Sequence, residues 1–190
     1  MRITIIEGAR GTGKSTIASK LRQKTSDTTL INFTGFSEDG QNGLLKVTDY
    51  YCNWMIFFNR MRNHKSNFVF DRFYFSESVY SLLYKDYSFI GVYRSLNDML
   101  IDLSDEVVID IFFLTVNDEE VLKQRLLRDK VPFGKAEESV QQSLVQQSTY
   151  RHLFQNLDGN ENLKIHTIDT SHISIDEVYN KIVEKLEDRS

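Results

Sequence analysis

Apolar residues fall into two kinds of run that alternate along the chain, and the alternation predicts the architecture. Short, nearly unbroken apolar stretches at residues 3–7, 29–33, 67–70, 107–116 and 164–168 have the length and the β-branched and aromatic content of strands buried on both faces. The run VVIDIFFLTV at 107–116 is the most strand-like and is expected near the middle of the sheet. Between these runs, apolar positions recur at helical spacing. Ile17, Ala18 and Leu21 mark a helix over 15–24. A dense set including Leu45, Tyr51, Trp54, Ile56, Phe57, Phe58 and Met61 marks a long, largely buried one over 44–61. Further helices are expected over 76–84, 89–105, 118–128, 137–157 and 175–186. The helix from Asp118 has acids in its first turn and Lys123, Arg125 and Arg128 towards its end, as the helix dipole favours. Polar residues 35–43 read as a mobile loop, and the basic stretch 129–135 holds the only proline, Pro132. Strand followed by helix throughout implies an α/β fold, a P-loop NTPase-type parallel sheet of about five strands flanked by helices on both faces.

Composition narrows this picture. At 190 residues and 41% hydrophobic, the chain is expected to form one domain over 1–190, too short for two ordinary cores. The balance of 23 basic against 27 acidic residues leaves a net charge of −4, which favours small anionic ligands over duplex nucleic acid. The single Cys52 excludes an intrachain disulfide, and no apolar run approaches the ~20 residues of a membrane span. These features, with a first segment that reads as strand rather than leader, lead us to expect a soluble, cytoplasmic protein. Monomer and homodimer both remain open.

The chemistry begins where the first strand ends. Residues Gly8, Ala9, Arg10, Gly11, Thr12, Gly13, Lys14, Ser15 and Thr16 follow the spacing GxxxxGK[ST], in which backbone N–H groups wrap a polyphosphate. Lys14 is expected to reach the β- and γ-phosphates of ATP, the Ser15 hydroxyl to ligate Mg²⁺, and the helix start to direct its dipole at the anion. Two phosphate groups meet only if cations screen them, so a second positive set should face this loop. The candidates are Arg72 at the end of the third strand, Arg60 at the end of the long helix, and Arg125, Arg128, Lys130 and Lys135 around a lid at about 125–138. A guanidinium matches phosphate bidentately, which makes Arg72 the acceptor clamp. Asp71 would orient the metal or its waters. A structural ion pair at Asp71-Arg72, and a merely solvated helix end at Arg125 and Arg128, are the alternatives.

Taken together, EGARGTGKST after a strand, FFNRMR, FVFDRFYFSESVYS, VLKQRLLRDK and VQQSTYRHLF resemble the thymidylate kinases within the P-loop deoxynucleoside and deoxynucleotide kinases. The resemblance implies that Arg72 grips the acceptor monophosphate, with Phe73, Ser76 and Tyr80 completing that motif. It further implies that Arg60 contacts the base, that Tyr150 lies near the nucleoside, and that arginines of the loop after the fourth strand clamp the transferred group. Ile56 stands at the base-stacking phenylalanine position, where Trp54 or Phe57 could substitute. The chain also departs from the family in carrying Arg10 where an acid is usual and Ser81 where glutamine is frequent. The expected reaction is transfer of the γ-phosphoryl group of Mg-ATP to a deoxypyrimidine monophosphate such as dTMP. A nucleoside kinase using Glu38 or Asp39 as base, a kinase for a modified pyrimidine, and a P-loop switch are the rivals.

Overall fold

A computed structural model describes residues 1–25, 28–33, 35–129, 135–157 and 160–189. Its five strands are β1 (Arg2–Glu7), β2 (Thr28–Asn32), β3 (Asn67–Asp71), β4 (Val108–Thr115) and β5 (Leu163–Asp169). Every pairing is parallel and the order is β2-β3-β1-β4-β5, so β1 lies at the centre with its carboxyl end between those of β3 and β4. Seven helices connect or follow the strands: α1 (Lys14–Lys24), α2 (Gly40–Met61), α3 (Tyr74–Tyr84), α4 (Ile90–Ser104), α5 (Glu119–Arg128), α6 (Ala136–Gln155) and α7 (Ile175–Glu187). A strand turns successive side chains to opposite faces, and the core divides accordingly. Ile5, Ile111 and Phe113 face a large cluster built by α2, α3, α4 and α6, including Tyr51, Phe58, Phe73, Leu96, Tyr150 and Phe154. Ile6, Phe112 and Leu114 face a smaller one with Ile17, Ala18 and Leu21 of α1 and Val178 and Ile182 of α7.

Helix α2 begins at Gly40, earlier than the sequence pattern suggests. Asp39 caps it by accepting the Gly40 N–H at 2.8 Å, and the same carboxylate oxygen accepts the Asp86 N–H at 2.7 Å. The Lys85 ammonium donates to the Phe36 and Glu38 carbonyls at 3.4 and 3.1 Å. The expected loop is therefore shorter and tied to the segment after α3. Residues 130–134 of the expected lid, Lys130 and Pro132 among them, lie outside the described residues. The buried Asp110 at the amino edge of the sheet is paired by His166 at 2.9 Å and by the Arg189 guanidinium, the compensation that an interior carboxylate requires. Among the described residues, no helix is long and apolar enough to cross a membrane.

Candidate active site

The phosphate loop leaves β1 at Glu7 and enters α1 at Lys14. Gly8 has no room for a side chain: a Cβ there would meet the Leu114 carbonyl oxygen at 2.6 Å and Thr12 Oγ1 at 2.7 Å. Gly13 caps α1 in a left-handed conformation, φ 88°, which turns the loop into the helix. Within the loop, Thr12 Oγ1 and Lys14 Nζ both donate to the Ala9 carbonyl, at 2.9 and 3.0 Å. Lys14 is buried, and burial, reinforced by the Arg72 charge, lowers its ammonium from 10.5 to about 7 against the opposing pull of Asp71 and Glu7. Arg10, Ser15 and Thr16 are exposed. Helix α6 braces the loop from above, with Ser143 Oγ donating to the Arg10 carbonyl at 2.8 Å.

The carboxyl end of β3 stands beside this loop because β1 and β3 pair in register, Ile6 opposite Asp71. Asp71 is buried; its Oδ2 accepts from Asn32 Nδ2 at 2.9 Å, while Oδ1 has no hydrogen-bond partner among the described residues. A buried carboxylate oxygen held without a donor suits a cation or its bound water, and Ser15 at the start of α1 supplies the hydroxyl such a site needs. Arg72 adopts φ 75°, the one non-glycine residue with positive φ among those described, and its guanidinium lies over the Tyr80 ring, 5.5 Å from the centroid.

Behind Arg72 is a carboxylate that the sequence reading passed over. Glu7 is fully buried; its Oε1 accepts the Phe73 N–H at 2.7 Å, and its Oε2 accepts the Ser76 and Tyr150 hydroxyls at 2.6 and 3.1 Å. Burial raises its carboxyl from 4.5 to about 7, against those hydrogen bonds and the Arg72 charge. Its signal in the sequence is an acid ending an apolar strand, immediately before the first loop glycine.

In front of Arg72 is a narrow pocket of about 60 Å³. Phe33, Phe36 and Tyr51 form its aromatic wall, and Arg72, Glu77 and Lys85 its charged lining. Two larger grooves lie away from the loop, about 380 Å³ between α2 and α4 and about 760 Å³ among α3, α4 and α6.

The structure thus brings Lys14, Asp71, Arg72, Ser76 and Tyr80 together beside the loop, and it moves several expected residues elsewhere. Helix α2 carries the chain from the carboxyl edge of the sheet back to the amino edge, so its last turn lies far from Arg72. Arg60 there lines the α2–α4 groove with Met99, Asp102 and Glu106, and Phe57 packs on Phe68 at the start of β3, ring centroids 5.7 Å apart. Neither is in reach of an acceptor held at Arg72. Trp54, one turn earlier, is half-buried between Phe58 and Phe70. Phe73 is a core residue, 4.8 Å from the Phe70 ring, and only its backbone enters the site. Tyr150 is fully buried, its hydroxyl bonded to Ser76 at 2.7 Å and to Glu7 at 3.1 Å, behind Arg72 rather than on the pocket lining.

Arg125 is also corrected. Its guanidinium donates to the Gly11 carbonyl at 3.3 Å and to Thr170 Oγ1 and the Thr170 carbonyl at 2.8 and 2.5 Å, so it ties the phosphate loop to the segment after β5. Those donors are spent on the protein. Arg128, one turn on, has a side chain 75% exposed, with Asp129 at 3.4 Å.

No family model and no curated protein matches the sequence. Solved structures do match. The YorR protein of Bacillus subtilis, in complex with phosphorylated GDP, aligns over 97% of this chain and 95% of its own, at 24% identity and a TM-score of 0.66. A thymidylate kinase from Candida albicans aligns over 98% of this chain and 91% of its own, at 22% identity and a TM-score of 0.62. A deoxyadenosine kinase from M. mycoides aligns over 99% of this chain and 100% of its own, at 16% identity and a TM-score of 0.59. The chain has the fold of the P-loop nucleotide kinases.

Proposed function

We propose that this chain is a nucleoside monophosphate kinase that transfers the γ-phosphoryl group of Mg-ATP to a deoxypyrimidine nucleoside monophosphate, with dTMP the acceptor that the resemblance of its motifs implies. One observation carries the reading: the in-register pairing of β1 and β3 sets Arg72 beside the phosphate loop that holds Lys14, and an aromatic-walled pocket opens beside Arg72. Two cations that repel each other are stabilised when phosphate oxygens lie between them, which is the charge distribution of phosphoryl transfer. The acceptor phosphate is already ionised, so the protein's task is positioning and screening rather than proton removal. The magnesium ion, held through Ser15 and by water on Asp71, would neutralise the charge of the donor phosphates. Arg128 is the solvent-exposed guanidinium at the end of α5 and is assigned to the transferring group.

The nucleoside-kinase rival needs a carboxylate base at the acceptor hydroxyl. Its candidates are engaged elsewhere: Asp39 caps α2 and binds Asp86, and Glu38 ion-pairs with Lys46 at the surface. This favours a monophosphate acceptor. We take the protein to act as a single domain on free nucleotides in a cytoplasmic setting. Coupled ADP release with and without each deoxynucleoside monophosphate, and with thymidine beside dTMP, tests the reading. Turnover that depends on a monophosphate supports it, turnover with thymidine alone supports the rival, and slow hydrolysis indifferent to acceptors would mark a nucleotide switch.

A further inference from the structure

Glu77 is a buried carboxylate for which the transfer of a phosphoryl group has no use. It lies in the first turn of α3, 6% exposed, and lines the same pocket as Arg72. Its Oε1 accepts the Tyr87 hydroxyl, and a side chain placed at Gly35 would stop 3.8 Å from Oε2, so the second oxygen faces Gly35 on the pocket wall. Burial raises its carboxyl, while the Tyr87 hydroxyl and the Lys85 ammonium favour the ion. A carboxylate repels phosphate, so Glu77 serves the other end of the acceptor. That end must be flat, to lie against the rings, and must donate hydrogen bonds, because an ionised carboxylate only accepts them.

We propose that Glu77 reads the acceptor's base and selects an exocyclic amino group, which makes a cytosine nucleotide a better acceptor than a thymine nucleotide. The inference rests on the phosphoryl-transfer reading above, keeps its deoxypyrimidine monophosphate, and puts cytosine ahead of the thymine that the motifs imply. Thymine offers one N3–H between two carbonyls, so a carboxylate that takes this proton is held against a carbonyl oxygen. Cytosine presents its N4 amino group at the end of the edge, where a carboxylate accepts it with one acceptor neighbour, N3. Lys85, on the same pocket, is a donor for that neighbour. Purine amino groups offer similar protons, so discrimination against them falls to the aromatic wall of Phe33, Phe36 and Tyr51, against which a second fused ring would have to lie.

The test is kcat/KM for dCMP, dTMP, dAMP and dGMP with saturating ATP, in the wild type and Glu77→Gln, with calorimetric binding of dCMP and dTMP to the wild type. The wild type should prefer dCMP over dTMP by at least about tenfold. Glu77→Gln should bring that ratio close to unity, chiefly by gaining dTMP, because an amide supplies both the donor and the acceptor that the thymine edge requires. Equal or better use of dTMP or a purine by the wild type, or an unchanged ratio in the variant, overturns the inference while leaving the kinase reading intact. If no monophosphate is phosphorylated, the kinase reading fails, and the calorimetric preference still decides the role of Glu77. That measurement also stands if Glu77→Gln does not fold.

Discussion

The carboxylate of Glu7 accepts the backbone N–H of Phe73 at 2.7 Å, joining the strand that feeds the phosphate loop to the residue that follows Arg72. On the other side, the Arg72 N–H donates to the Ile6 carbonyl at 3.1 Å. Arg72 is thereby held at φ 75° by hydrogen bonds at both of its peptide groups, both made by β1. Strain of this kind persists only where neighbours over-determine the conformation.

Replacing Arg72 should separate strain from charge. Arg72→Ala and Arg72→Gly both remove the guanidinium and should raise the acceptor KM and lower kcat, with ATP affinity much less affected. The glycine variant should be the more stable by about 1 kcal/mol, because only glycine adopts this conformation without cost. Denaturant titration of both variants checks this, and equal stabilities would mean that φ at this position carries no strain.

The raised Glu7 carboxyl has a consequence for stability. Between 4.5 and about 7 the folded chain keeps a proton that the unfolded chain has released. This group's contribution is therefore complete below 4.5 and lost as pH rises to about 7, a change on the order of 3 kcal/mol. Glu7→Gln is neutral at every pH and still accepts from Phe73. The stability of the wild type relative to this variant should fall across that window, as read from urea titrations; a constant difference would show that Glu7 is ionised in the folded chain throughout.

Lys14 should take up a proton when nucleotide binds. Its ammonium is lowered to about 7, and polyphosphate favours the charged form, so ATP affinity should fall as pH rises above about 7. Calorimetry in buffers of different ionisation heat measures the uptake, which Lys14→Met should abolish. Lys14→Ala should remain folded and lose turnover. Binding without proton uptake would place the lysine in its charged form before ATP arrives.

The two arginines of α5 should now behave differently. Arg125→Ala breaks its hydrogen bonds to Gly11 and Thr170 and should cost about 1–3 kcal/mol of stability and weaken ATP binding. Arg128→Ala should leave stability within about 0.5 kcal/mol and lower the single-turnover rate by about 10³-fold. A loss of less than about tenfold at Arg128 would assign the transition-state charge to Arg10 or Arg72.

The strands β1, β3 and β4 were legible because each is buried on both faces, so apolar residues run nearly unbroken, whereas the edge strands β2 and β5 are partly exposed and carry a weaker pattern. The loop from Gly8 to Ser15 was legible because its conformation demands glycine at fixed places. The start of α2 was not, since Gly40 and Gly43 read as loop residues. Gly43 is in fact a packing requirement inside the helix, where a Cβ would lie 2.6 Å from the Glu38 carbonyl oxygen. Arg60 was expected at the acceptor's base, but α2 runs back to the amino edge of the sheet before its last turn, which sets Arg60 on the α2–α4 groove. Arg125 was misread because an arginine near a phosphate loop can bind the loop's own carbonyls as readily as a ligand, and only coordinates tell which. Glu7 was overlooked because its three partners, Phe73, Ser76 and Tyr150, are 66, 69 and 143 residues away.

The central place of β1 also bears on how the chain is made. Its partners are β3, complete at Asp71, and β4, complete at Thr115, so β1 is made well before either neighbour and keeps one side unpaired until β4 has followed. Pairings this distant are slow to form, and an unpaired apolar strand is a template for association between chains. Nascent chains stopped before Val108 should therefore present the phosphate-loop sequence on an open edge, prone to aggregate and without the cradle that β4 completes through Leu114.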